Sequence, residues 1–180
     1  MVEPFSLPVT GTHVGLRPLA ARDAAAYVEG TEDVQVRAHA HLPEPFYTIE
    51  SVTTLAETVV PAGLRDGSLA VLSIVDADTD DFHGSLVLFN MTEADAEVGF
   101  WLHPRSRGSG RSVSALELAC RLVHDTGMTT VTARTALDNV ASQKTLTRAG
   151  FDRLDIRRGT APSGQEIDLV HYERKLVTTW

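Results

Sequence analysis

The order of apolar runs predicts an α/β (α+β) domain built on a single mixed, mostly antiparallel sheet of about seven strands flanked by helices. Three observations carry this. Short Val/Leu/Phe-rich runs separated by polar turns fill the centre of the chain, the pattern of an antiparallel meander. From Gly110 the apolar spacing changes to 3, 4 and 3, the period of one helix face. A β-branched run, a short helix and two final strands follow, so helices alternate with strands around one layer of sheet.

In Val9–Leu19, Val14 and Leu16 alternate with His13, Gly15 and Arg17, and Pro18 closes a strand. Ala20–Glu29 is Ala-rich with Asp23 near its start and reads as a helix. His39–Tyr47 holds two prolines and two histidines and reads as a loop. Thr48 can cap a helix running to about Arg65, bent or interrupted at Pro61. Three strands follow: Leu69–Val75, stopped by Asp76–Asp81; Leu86–Phe89, followed by Asn90–Ala94; and Val98–Leu102, ending at His103-Pro104. Val113, Leu116, Cys120 and Val123 form the apolar face of the next helix, with Gly127 as its stop. Thr129–Ala136 is a strand, Val140–Ala149 a short helix ending at Gly150, and strands near Phe151–Arg157 and Glu166–Lys175 close the order.

Length and composition narrow the classes. The 180 residues suit one domain over 1–180, and 43% apolar with 22% charged residues is the balance of a packed chain, not a disordered one. The formal charge of −8 gives no general attraction to phosphate backbones or anionic lipid, so no nucleic-acid or membrane partner is expected. The single Cys120 excludes an intrachain disulfide or a Cys-based zinc cluster, and it sits on the apolar helix stripe as a core residue. No fixed third ligand accompanies His39 and His41, so no metal is expected. No stretch approaches about 18 apolar residues. Met1–Pro4 lacks the basic head and apolar run of a signal peptide, and a cytoplasmic location is expected.

The most informative segment is Arg105-Ser106-Arg107-Gly108-Ser109-Gly110-Arg111, between a strand and an amphipathic helix. Glycines at 108 and 110 let the backbone turn sharply and approach a ligand closely. The first N–H groups of the helix then point at that ligand, with the positive end of the helix dipole behind them. Three arginines add local positive charge to an acidic chain, so the loop reads as a phosphate or pyrophosphate cradle. The plainer alternative is a Gly/Ser connection with solvated arginines. No G-K-[ST] triplet is present, and Val113 stands where a dinucleotide fingerprint needs its third glycine.

Arg105-x-x-Gly108-x-Gly110 resembles the Q/R-x-x-G-x-G/A signature of the GNAT superfamily of CoA-dependent N-acyltransferases. Asp138-Asn139-Val140-Ala141-Ser142, with Leu146 and Ala149-Gly150-Phe151, resembles that family's Asn-x-x-Ser helix and small-Gly-Phe turn, and Glu97–Pro104 resembles the strand before its loop. The spacing is most similar to the RimJ/RimL branch, which acetylates protein N-terminal amines and includes enzymes acting on small amines. The resemblance implies acetyl-CoA as co-substrate, without a metal. It implies a sheet in which the strand of Glu97–Leu102 splays from Thr129–Ala136 to admit the pantetheine arm. Backbone amides from Arg107 through Gly108, Ser109, Gly110 and Arg111 to Ser112 would hold the pyrophosphate, with Arg105 alongside. Asn139 would bond the pantetheine amide region, and Ser142 would lie near the sulfur. Relatives often pair, so a homodimer is also implied.

Thioester-to-amine transfer requires a deprotonated nitrogen, a donor for the carbonyl oxygen, and a proton or hydrogen bond for a thiolate whose pKa is about 8–9. Glu97 is the expected base, and a backbone N–H of Phe100, Trp101 or Leu102 the oxyanion donor. Many relatives carry a Tyr seven residues after the Asn; here Leu146 stands there, leaving Ser142 or a water for the leaving group. Arg111 and Ser114 also depart from the family pattern. On the acceptor side His39, His41, Phe46, Tyr47, Asn90 and His171 are candidates, with His41, Tyr47 and Asn90 the chosen substrate contacts. Glu97 as a strand-end carboxylate, Asn139 and Ser142 as helix-cap residues and the histidines as surface groups are the plainer alternatives. Three functions are therefore carried: acetylation of a protein N-terminal amine, acetylation of a small amine (aminoglycoside, polyamine or amino acid), and a non-catalytic CoA-binding module.

Overall fold

The computed structural model describes residues 5–176; Met1–Pro4, which bear on the signal-peptide expectation, and Trp180 lie outside them. Eight strands form one sheet: β1 Val9–Thr10, β2 Val14–Pro18, β3 Ala70–Asp76, β4 Phe82–Phe89, β5 Asp95–Leu102, β6 Thr130–Ala136, β7 Asp152–Thr160 and β8 Glu166–Lys175. Their order is β1-β2-β3-β4-β5-β6-β8-β7, and every neighbouring pair is antiparallel except β5 and β6. The eighth strand arises because the segment expected as one strand turns between Thr10 and Val14. Its two parts pair with each other, Val9 opposite Leu16.

The helices are α1 Ala24–Thr31, α2 Val34–His39, α3 Ile49–Thr54, α4 Val60–Asp66, α5 Arg111–Asp125 and α6 Val140–Arg148. Between α3 and α4 the helix does not break at Pro61. It widens over Leu55–Val59 into a π-turn in which the Val60 N–H reaches back to Leu55 O. Pro61 supplies no N–H and its ring crowds the carbonyl four residues earlier, and the wider turn relieves that clash. Thr48 caps α3 as expected, accepting from the Ser51 N–H. The sequence pattern gave no sign of α2. It starts at Asp33, whose carboxylate accepts from the Gln35 and Val36 N–H groups.

The sheet is covered on both faces. Along β3, Ala70, Leu72 and Ile74 pack with the apolar side of α5, including Leu116, Cys120 and Val123. Val71 points the other way, into a second cluster with Tyr27, Val52, Val60 and Trp101 from the α1–α4 side. Burial pushes the Cys120 thiol up to about 11, so at neutral pH it is a small apolar core group.

Candidate active site

The parallel pair β5 and β6 is in register over three residues only: Asp95 with Thr130, Ala96 with Val131 and Glu97 with Thr132. Beyond that point β5 stays paired to β4 as far as Leu102, and β6 stays paired to β8 as far as Ala136. The two strands therefore fork, each held on its outer side and open on its inner one. Strand alternation puts Ala96 and Val98 in the α5 core, and Trp101 on the α1–α4 face with Glu97 and Gly99.

A cavity of about 670 Å³ occupies the fork. Glu97, Phe100 and Trp101 of β5 line it, as do Asn139 and Ser142 at the start of α6 and His41 and Tyr47 of the long loop. With His39 and Phe46, nine residues singled out from sequence thus meet in one wall. Leu102 and Asn90 lie outside that wall. Asn90 instead turns its amide onto Glu97, donating from Nδ2 to Oε2 at 2.9 Å. The other carboxylate oxygen takes the Arg134 guanidinium, Nε to Oε1 at 2.6 Å across the gap between β5 and β6. His171 lies opposite Arg134 on β8 and outside the cavity lining.

Asn139 caps α6: its Oδ1 accepts from the Ser142 N–H at 3.1 Å, a bond that does not use Nδ2, and the residue lines the cavity. Leu146 lies one turn further on, fully buried but reaching the cavity wall, so no hydroxyl is offered there.

At the far end of β5 the glycine loop enters α5. Gly108 (φ +82°) and Gly110 (φ +78°) are both left-handed, and a Cβ built on either would meet nothing within 4 Å. The space is thus open for a ligand to approach the main chain. The α5 N-cap is Gly110, which has no side chain, and the first helical bond is from the Ser114 N–H to Gly110 O. The earlier N–H groups of the helix, Arg111 and Ser112 among them, keep their donors for an anion. These features fit a diphosphate.

The loop arginines are less free than their number suggests. Arg107 Nη2 lies 2.6 Å from Asp33 Oδ1, and Arg105 Nη1 lies 3.7 Å from Glu29 Oε1. Arg111 donates to Ser109 Oγ and lines a separate hollow with Arg22, Asp23 and His83. Three cations beside the positive end of a helix dipole repel one another, and the carboxylates of α1 and its following turn offset that. Burial alone would raise Asp33, but Arg107 and the α2 amides outweigh it and hold the carboxyl below the usual range.

His39, expected in the loop, is instead the last residue of α2, and with His41 of the following loop it lies beside the start of α6. His39 Nδ1 lies 3.9 Å from Asp138 Oδ1, and His41 has a left-handed backbone, φ +47°. Burial, then the neighbouring His39, holds His41 below the ordinary imidazole range despite Asp138, so it is uncharged at neutral pH. Tyr27 carries its phenol above the usual range, chiefly through burial. Among the described residues no group of three or more His, Cys, Asp or Glu is placed to hold a metal ion, and no helix is long and apolar enough to cross a membrane.

This geometry defines an acyl-CoA N-acyltransferase fold with an open strand fork. A family model described as "Acetyltransferase (GNAT) domain" matches residues 13–152, and the chain belongs to that family. It is a GNAT acetyltransferase. Among solved structures, Mycobacterium smegmatis RimJ in complex with CoA-disulfide is similar at 22% identity, covering 97% of this chain and 86% of that one, TM-score 0.76. The ribosomal-protein-S5-alanine acetyltransferase of Vibrio fischeri is 18% identical over 95% and 97% of the two chains, TM-score 0.73. The microcin C7 self-immunity acetyltransferase MccE, in complex with acetyl-CoA and AMP, is 18% identical over 92% and 93%, TM-score 0.78. At these identities the likeness lies in the fold. No curated protein matches the chain in sequence.

Sequence reasoning missed part of the wall. Arg134 was hidden in a β-branched strand, although a lone arginine at an alternating position beside the fork was its signal. Tyr27 was hidden in an Ala-rich helix, and Val87, Phe89 and Leu169 read as ordinary strand residues.

Proposed function

We propose that this acetyltransferase acts in the cytoplasm on the α-amine of a protein N-terminus, with Glu97 as general base. The observation that carries the reading is the fork: β5 and β6 leave register after Glu97 and open onto one cavity shared by Asn139, Ser142, His41 and Tyr47. The glycine-loop amides hold the donor's diphosphate, Asn139 Nδ2 bonds its pantetheine amide region, and the thioester lies in the gap. The His41–Tyr47 loop and the Ala161-Pro162 turn before β8 both line the cavity, two loop walls between which an extended chain end can lie. The ribosomal-protein activity in the name of the Vibrio fischeri neighbour supports the same acceptor.

In the reaction the amine nitrogen attacks the thioester carbonyl carbon. The C–N bond forms, the C–S bond breaks, and the sulfur leaves with the electron pair. One of the ammonium's protons is released on binding and another is taken up by the thiolate, so the products are amide, thiol and one free proton. An apolar cavity lowers the pKa of a bound ammonium, so the wall itself does part of the deprotonation. Glu97, aligned by Arg134 and Asn90, receives the proton directly or through a water. A backbone N–H of Phe100–Leu102 faces the developing oxyanion, and Ser142 or a water meets the thiolate.

The test is an acceptor screen read by thiol release and product mass. N-terminal peptides should gain one acetyl group at the α-amine. Equal reaction of α-blocked lysine peptides, or reaction of free small amines alone, overturns the N-terminal assignment.

A further inference from the structure

The chain's net charge of −8 does not collect in the cavity. Of the described residues lining it, only Glu44, Glu97 and Arg134 carry formal charge when histidines are neutral, a sum of −1. Glu97 is already engaged at both oxygens by Arg134 and Asn90, and Glu44 stands exposed at the rim. A polycation would therefore bury its second and third charges without partners.

What the wall offers instead is aromatic surface. The Tyr27 ring packs edge-on against Tyr47 (centroids 5.3 Å) and against Trp101 (5.1 Å), and Phe82 backs both Tyr27 and Trp101. Trp101 is pinned from the other side by α1, where a Cβ on Gly30 would fall 2.5 Å from the indole. At the mouth Phe46 is 73% exposed, with the Arg37 guanidinium over its ring at 5.8 Å. Leu42, Leu55, Val59, Val71 and Val87 complete the apolar lining. Rigid rings at the floor and an exposed ring at the entrance make a surface that gains by removing apolar area from water.

We infer that the acceptor is a primary amine carried on an uncharged, apolar or aromatic body, selected by Tyr47 and Phe46 over the Tyr27–Trp101 floor. This rests on the cavity's being the acceptor side of an acetyltransferase. Two sources share that chemistry: a peptide whose first residue is large and apolar, and a free arylalkylamine.

The experiment measures kcat/KM by thiol release with acetyl-CoA for a C-terminally amidated peptide beginning with Phe, the same peptide beginning with Asp, 2-phenylethylamine, spermidine and kanamycin. Calorimetric titration of acetyl-CoA runs in parallel. The Phe peptide, 2-phenylethylamine or both should exceed spermidine and kanamycin by about a hundredfold, the order a well-filled apolar pocket supplies. Which of the two leads identifies the source. Tyr47→Ala and Phe46→Glu should each raise KM for the preferred amine by about tenfold while leaving acetyl-CoA affinity unchanged. Preference for the polycations or for the Asp peptide, or unchanged KM in both variants, overturns the inference while the transferase stands. Absence of acetyl-CoA binding overturns the transferase reading itself. Binding without turnover on any amine overturns the acceptor assignment.

Discussion

Glu97 shows how one side chain can serve two ends. It pairs with Arg134 across the strand gap, and it lines the cavity in which, on the proposed reading, an ammonium loses its proton. Glu97→Gln keeps the shape but cannot take a proton, so kcat/KM should fall about a hundredfold and its acid limb should vanish from the pH–rate profile. Full activity at every pH would remove Glu97 from the base role. Gly108 lends itself to a cleaner test. Aspartate visits the left-handed backbone more readily than most residues and its Cβ would meet no neighbour, so Gly108→Asp should cost about 1 kcal/mol, a small fall in melting temperature that leaves the fold intact. It puts a carboxylate at the proposed diphosphate site, and acetyl-CoA should bind about tenfold more weakly by calorimetry. Both residues were legible in the sequence because motif spacing located them. Arg134 and Tyr27 were not, since nothing local distinguishes a strand arginine or a helix tyrosine that faces a cavity from one that faces solvent or core.

At the level of elements, the least legible piece is α2. Its six residues show too little periodicity to read, and the loop arginine that meets its cap comes 74 positions later. Asp33 accepts two α2 amides while pairing with Arg107, so one carboxylate joins the donor loop to the helix that ends in His39. Asp33→Ala removes the cap and should cost about 1 kcal/mol in denaturant unfolding. It also frees the Arg107 guanidinium, so acetyl-CoA affinity should hold or rise; a marked loss would mean the bridge itself shapes the cradle. The strands were easier to read, although β4 begins at Phe82, four residues before the expected Leu86. Gly84 and Ser85 have poor strand preference and are held extended by pairing with β3 on one side and β5 on the other, while His83 falls at the bulge in the β3–β4 register and accepts from the His103 N–H.

For the molecule as a whole, acid is the sharpest probe. Burial holds His41, His83, His103 and His171 below the ordinary imidazole range, each further adjusted by nearby charges. The unfolded chain therefore binds protons at these sites first. Their contribution is complete above a pH of about 6.5 and is lost as pH falls through the lower folded values. Asp23 acts in a second window. Burial would raise it, but Arg17, Ser73 and the Ala20 N–H outweigh that and keep it below the usual carboxylate value. Its support is present above a pH of about 4 and disappears below. The melting temperature should decline in two stages between about pH 7 and pH 3, and Asp23→Asn should lessen only the lower one, to which Asp33, Asp76 and Asp80 also contribute. A midpoint that stays level from pH 7 to 5 would contradict the histidine stage. The layer order was open to sequence reading because hydrophobic period and turn chemistry are local quantities. The parting of β5 from β6 is not local; it depends on which outer neighbour holds each strand. That parting leaves the sheet one rung-ladder short through its middle, with peptide groups of both strands turned toward an unfilled slot. On the proposed reading the acetyl donor lies there extended in place of the missing strand, so its arrival should slow amide hydrogen exchange across the slot and tie the two halves of the sheet into one cooperative unit.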